Sequence, residues 1–153
     1  MPTVNYHEGD LFAVPLREGG FALGLVARAN RDGVLFGYFF GPKYDSLPSL
    51  DLVGTLRVDD AILIRMFGHL GLLRGEWPIL GQVPGWCRSD WYIPGLYRCE
   101  ELTGRSFLVF YDDRNPNHMI REEELAPDSA VNQPKDGLSG AGAIEIVLTS
   151  LLR

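Results

Sequence analysis

The sequence predicts a mostly β protein: a twisted antiparallel sheet or partial barrel with a C-terminal helix. Three observations predict it. Apolar runs up to Tyr111 are short and bounded by Gly, Pro, Asn and Asp, the signature of strands and turns. With 18 glycines and 10 prolines in 153 residues, breakers come too often for long helices. Only Ala143 to Leu152 places apolar residues, Ile144, Val147, Leu148 and Leu151, at i, i+3, i+4 and i+7, the helical period; Ile144 and Ile146 flanking Glu145 also allow a strand.

The elements follow in order. Asp10 to Leu16 and Phe21 to Val26 flank Arg-Glu-Gly-Gly, which reads as a β-hairpin. Val34 to Phe40 follows Asn30-Arg31-Asp32-Gly33, whose Asp-Gly suits a turn with positive φ, and makes a third strand. Pro15 cannot donate to a ladder and belongs at an edge or bulge, while Gly24 and Gly37 inside strands mark a bend or a close approach of another backbone. Gly41 to Asp51 reads as a loop rather than a domain boundary, because neither side holds enough strands to bury its own face. Ala61 to Phe67 is read as a strand, since glycines at 68, 71 and 75 would interrupt a helix. Gln82 to Pro94 reads as a structured surface loop. Leu96 to Glu100 and Ser106 to Tyr111, joined through Leu102 to Arg105, form another hairpin. A polar segment near 126–142 then connects to the helix, and residues 1–153 are expected to form a single domain.

Composition limits the function. The net charge is −6, and residues 100–153 carry ten acids against five bases. That balance speaks against phosphate-driven nucleic-acid binding and suits a basic protein partner. No apolar stretch approaches the ~20 residues of a membrane-spanning helix. Met1 to Asp10 carries Glu8 and Asp10 and lacks a basic region followed by an apolar run, so the expected compartment is cytoplasmic. Cys87 and Cys99 are read as free thiols.

No phosphate-binding glycine loop, HExxH, GxSxG or calcium-binding loop occurs. His7, His69 and His118 lack a second ligand at metal-binding spacing, so neither a metal site nor a cofactor is expected. A triad of Cys87, a histidine and an aspartate can be written for almost any chain, and the reading is of no catalytic residues. Asp59-Asp60, Glu100-Glu101, Asp112-Asp113 and Glu122-Glu123-Glu124 are adjacent carboxylates. Neighbours on a strand point to opposite faces, so they read as hydrated strand ends or an electrostatic contact surface rather than an acid–base pair. Trp77 is expected in the core, and Trp86, Trp91 and Tyr92 in either the core or a protein-contact patch. The candidate partner-binding residues are therefore Trp86, Trp91, Tyr92, Glu100, Glu101, Asp112, Asp113, Glu122, Glu123 and Glu124.

Five blocks carry a family resemblance: Gly9-Asp10-Leu11-Phe12-Ala13-Val14-Pro15-Leu16, Gly20 to Val26, Leu35-Phe36-Gly37-Tyr38-Phe39-Phe40, Gly68 to Leu72 with Gly75 to Gly81, and Trp91 to Tyr97. Together they resemble the immunity protein 26 family of bacterial polymorphic toxin systems, up to about Tyr111. His69 stands where that pattern has an acid, and the tail after Pro127 matches little of it. The resemblance implies a protein that binds a cognate toxin domain and neutralises it by occlusion, without a reaction of its own. The charge balance suggests a basic toxin such as a nuclease. The alternative is a small β-barrel module recognising a peptide or nucleic acid in another assembly.

Overall fold

The computed structural model describes residues 4–129 and 131–153. Met1 to Thr3 of the opening segment and Ala130 of the polar connector lie outside the described residues.

The architecture is mostly β: an open six-stranded sheet, a three-stranded sheet and a C-terminal helix, with no closed barrel. β1 (Asp10–Pro15), β2 (Phe21–Ala29), β3 (Val34–Tyr44) and β4 (Leu63–Gly68) form an antiparallel meander. After the single-turn helix α1 (Leu70–Leu73), β5 (Ile79–Gln82) joins the far side of β1. β6 (Leu96–Cys99), β7 (Ser106–Asp112) and β8 (Asn115–Glu124) make the second sheet. β9 (Leu138–Ser139) returns to the outer edge of β4, parallel to it, so the large sheet is not wholly antiparallel. Helix α2 (Ala141–Leu151) follows.

The first three strands read as nearly unbroken apolar runs because both faces of the large sheet are covered, so alternation has no polar face to report. One face holds Phe12, Val14, Leu35, Phe39, Phe67 and Trp77 against Ile144 and Leu148 of α2. The other holds Leu11, Leu25, Phe36, Tyr38, Phe40 and Met66 against Trp91 and Leu96.

Gly24 and Gly37 lie where aromatic rings press onto the strands, rather than chiefly where another backbone approaches. A Cβ on Gly24 would sit 2.3 Å from the Phe12 ring, and one on Gly37 2.6 Å from the Phe67 ring. Gly33 adopts φ +80° in the β2–β3 turn, where the Asn30 Oδ1 accepts hydrogen bonds from the Asp32 and Val34 amides at 2.9 Å each, an Asx turn.

Several boundaries differ from the sequence expectation. β3 continues through Pro42 to Tyr44, although a loop is expected from Gly41: Phe21 pairs with Tyr44 and Leu23 with Phe40. Pro42 thus occupies a bulge, where no ladder donor is required. The expected helix is present, beginning at Ala141, but Leu151 is exposed and the half-buried Leu152 completes the inward stripe instead. β8 falls in a segment with no apolar alternation, since every residue after Pro116 in it is exposed.

Candidate partner-binding surface

The ten candidate residues fall on the small sheet and on the segment from 83 to 96 that leads into it. Trp91 belongs to the core. It is 6% exposed and meets Tyr38 and Phe40 edge-on, with ring centroids at 5.1 and 5.9 Å. It is therefore corrected from possible contact anchor to the floor beneath the segment. Trp86 is half-buried, its indole covering Gly9 so closely that a Cβ there would lie 2.8 Å from the ring. Tyr92 is 55% exposed, while its backbone carbonyl accepts a hydrogen bond from the Tyr38 hydroxyl. Burial pushes that Tyr38 phenol far above the ordinary tyrosine value.

The carboxylates do not gather into one bare acidic patch. Glu122 pairs with Arg98 at 2.5 Å, Glu124 with Arg105 at 2.5 Å and Glu123 with Arg121 at 2.9 Å. Ladder pairing places Glu122 and Glu124 on the face of Phe107 and Val109, and Glu123 on the opposite face with Leu108. The cations are held over aromatic rings: Arg98 and Arg105 lie 4.9 and 5.3 Å from the centroid of Phe107, and Arg121 lies 4.0 Å from that of Phe110. The hydrogen bond from Arg105 holds the Glu124 carboxyl below its ordinary value. Glu100 accepts from the Thr103 hydroxyl at 3.0 Å, and Asp112 from the Arg114 amide at 2.8 Å. Glu101 is exposed, with no cation in ion-pair contact among the described residues.

Asp113 has a separate task, visible only in three dimensions. A bulge in β2 between Val26 and Arg28, opposite Gly37 and Phe36 of β3, puts Arg28 on the same face as Phe36, toward the small sheet. Arg28 is 2% exposed. It donates to Asp113 at 2.9 Å and to the carbonyls of Ala27, Trp91 and Arg88 at 2.6, 3.0 and 3.2 Å. Arg88 also pairs with Asp113 and, at 2.9 Å, with Glu8. Burial raises the Asp113 carboxyl, but the hydrogen bonds and charges of Arg88 and Arg28 outweigh it and leave it below the ordinary value. This Glu8–Arg88–Asp113–Arg28 chain fastens the β7–β8 turn to β2. Sequence reasoning missed Arg28, although one charge inside the run Phe21 to Ala29 was the available signal.

Cys87 and Cys99 are exposed free thiols, and Cys87 Sγ contacts the Ser89 hydroxyl at 3.2 Å rather than an imidazole. His69 Nδ1 shares a hydrogen bond with the Tyr6 hydroxyl at 2.8 Å. Among the described residues, no three His, Cys, Asp or Glu side chains are grouped to hold a metal, and no helix is long and apolar enough to cross a membrane.

The family model described as Immunity protein 26 matches residues 7–108, about two thirds of the chain. The chain belongs to the immunity protein 26 family. The matched stretch contains β1 to β6 and the start of β7, with Glu8, Arg28 and Arg88 of the fastening; Asp113, β8, β9 and α2 lie beyond it. No curated protein and no solved structure matches the chain. Membership places it among proteins of toxin-neutralising immunity, whose partner in general is a protein toxin.

Proposed function

We propose that this chain binds a cognate bacterial toxin domain in the cytoplasm and neutralises it by occlusion, with no chemistry of its own. The observation that carries the reading is the family match over residues 7–108. Occlusion requires a specific interface of ~800 Å² per partner with a few anchors. The small sheet and its leading segment supply suitable parts: Tyr92 and Trp86 as aromatic contacts, with Glu100, Glu101, Asp112, Asp113 and Glu122 to Glu124 around them. Intramolecular pairing of most of these acids leaves the net charge of −6 unchanged, and that field favours encounter with a basic toxin such as a nuclease.

Co-expression with the toxin domain encoded beside this gene tests the reading. Growth should be rescued, and the two proteins should co-purify as a stoichiometric complex. Failure of the folded chain to bind or rescue would sink it. Within the complex, Tyr92→Ala should raise the dissociation rate, and Glu101→Gln with Asp112→Asn should slow association at low salt while leaving the melting temperature in place.

A further inference from the structure

Four arginines of this chain lie away from the fully exposed surface: Arg28, Arg65, Arg88 and Arg98. Arg28 and Arg88 pair with Asp113, and Arg98 with Glu122. Arg65 is the exception among the described residues, with no carboxylate in ion-pair contact. Its Nη1 donates to the Ser139 hydroxyl at 3.0 Å, and its buried Nε, like that of Arg98, has no acceptor among the described residues, so the missing carboxylate is what sets Arg65 apart. A guanidinium carries five N–H donors and accepts nothing, so partial burial without an anion is costly. Desolvation accordingly lowers the Arg65 pKa, and no neighbouring charge offsets it.

The backbone beside Arg65 is equally unfinished. β9 pairs with β4 only at Met66 and Phe67, so the outer edge of Leu63 to Arg65 has no strand partner among the described residues. Instead the chain at 132–135 stands off, leaving a cleft of about 230 Å³ between Ala61–Arg65 and Asn132–Lys135. Lys135 adds a second cation to its lining and has no carboxylate in ion-pair contact among the described residues. An open strand edge accepts an extended segment through main-chain hydrogen bonds, and neighbouring side-chain sites select what that segment carries.

A second basic cleft, at the β2–β3 and β7–β8 turns, also holds two cations, the guanidiniums of Arg31 and Arg114, neither in ion-pair contact among the described residues. Its lining, however, includes the carboxylate of Asp32, and both arginines are exposed to water. The demand for an anion is therefore greater at Arg65.

We infer that the β4 cleft receives an extended acidic segment of the protein partner, whose carboxylate is held by Arg65, with Lys135 beside it and the open edge of Leu63 to Arg65 pairing the backbone. The inference rests on the immunity reading only for the partner being a toxin. It does not conflict with a basic toxin, since the cleft addresses one local contact while net charge governs the approach. A guanidinium–carboxylate contact is charge-assisted and directional, so Arg65→Lys is not expected to preserve it.

The full ¹⁵N-labelled chain, titrated with a blocked pentapeptide of alternating valine and glutamate, provides the test. The peptide should move the Arg65 Nε–H resonance and the amides of Leu63 to Arg65. A glutamine counterpart, or the Arg65→Lys and Lys135→Gln variants with the original peptide, should bind at least about tenfold more weakly, as expected for loss of a charge-assisted contact. Equal binding of the glutamine peptide, shifts confined to Arg31 and Arg114, or inorganic phosphate saturating the site more tightly than the peptide would each overturn the inference. With the neighbouring toxin, the folded Arg65→Lys, Lys135→Gln double variant should show at least about a tenfold rise in Kd. Wild-type affinity in that variant refutes the cleft and leaves the immunity function standing. Absence of toxin binding by the unaltered chain refutes the immunity function instead, and the peptide titration then decides the cleft alone.

Discussion

The two sheets are stabilised by different physics. In the large sheet, β1 to β3 are buried on both faces, and aromatic rings fill hollows left by glycine: Phe12 covers Gly24 and stacks on Trp77 at a centroid distance of 5.5 Å. In the small sheet, Phe107 and Val109 are buried, but β8 is exposed beyond Pro116. Arg98 and Arg105 lie over the Phe107 ring and meet Glu122 and Glu124 of β8, while Arg121 of β8 lies over Phe110 of β7. Apolar burial depends little on salt and pH near neutrality, whereas exposed charge pairs are screened. The Arg28–Asp113 contact joins a buried guanidinium to a carboxylate whose side chain is 59% exposed, and so stands between the two regimes.

The largest expected effect comes from the large sheet. Phe12→Ala should cost roughly 3 to 5 kcal/mol, the usual range for deleting a buried phenylalanine, read from the midpoint of urea unfolding. Phe36→Ala should behave alike, because both are fully buried. A loss below about 1 kcal/mol for either would show that the sheet can collapse around the cavity, and the contrast with the small sheet would fail.

Gly24→Ala tests the same region by overfilling it. The added methyl meets a Phe12 ring backed by Trp77, so the ring cannot simply step aside, and a cost of about 1 to 3 kcal/mol is expected. Combining it with Phe12→Leu should recover part of that loss, since the clash and the ring share one space.

Asp113→Asn probes the fastening between the sheets. The expected cost is about 1 to 2 kcal/mol, toward the low end for a hydrogen bond to a charged group, because solvent reaches Asp113 and Arg28 keeps its three carbonyl acceptors. The pH dependence has a definite sign. The folded-state pKa of Asp113 lies below its ordinary value, so its contribution is complete above about pH 4 and is lost as pH falls through the folded value. The difference between wild type and Asp113→Asn should therefore be constant near neutrality and shrink in acid; a difference that grew in acid would contradict the assignment.

The smallest effect is expected from Glu122→Gln with Glu124→Gln. The Arg105–Glu124 pair is about half exposed and the Arg98–Glu122 pair about one-third exposed, so solvent screens both, the melting temperature should move far less than in Phe12→Ala, and added salt should shrink the difference. A large, salt-independent loss would mean that the small sheet depends on these pairs as the large one depends on its rings.

The sequence by itself determined the mostly β class, the hairpin of β1 and β2, the third strand, β4, the β6–β7 hairpin, the C-terminal helix and the family. Each of these rests on a local signal: an apolar run bounded by turn residues, a period of 3.6, or blocks of fold-specifying glycines and aromatics. It also identified the carboxylates and aromatics that the small sheet and its leading segment display. What only the tertiary structure decided depends on residues far apart in the chain. β8 exists because β7 supplies its ladder, although its own side chains face water and carry no alternation. Trp91 is core because Tyr38 and Phe40 come from the opposite sheet to meet it. Arg28 faces Asp113 because a single bulge turns it there, and Glu122 and Glu124 of β8 find Arg98 and Arg105 through strand register. Arg65, unremarkable in sequence, becomes a guanidinium without an anion only because β9 stops pairing with β4 two residues along the ladder. Local periodicity reports which faces are apolar; pairing register and burial of charge are set by the whole fold.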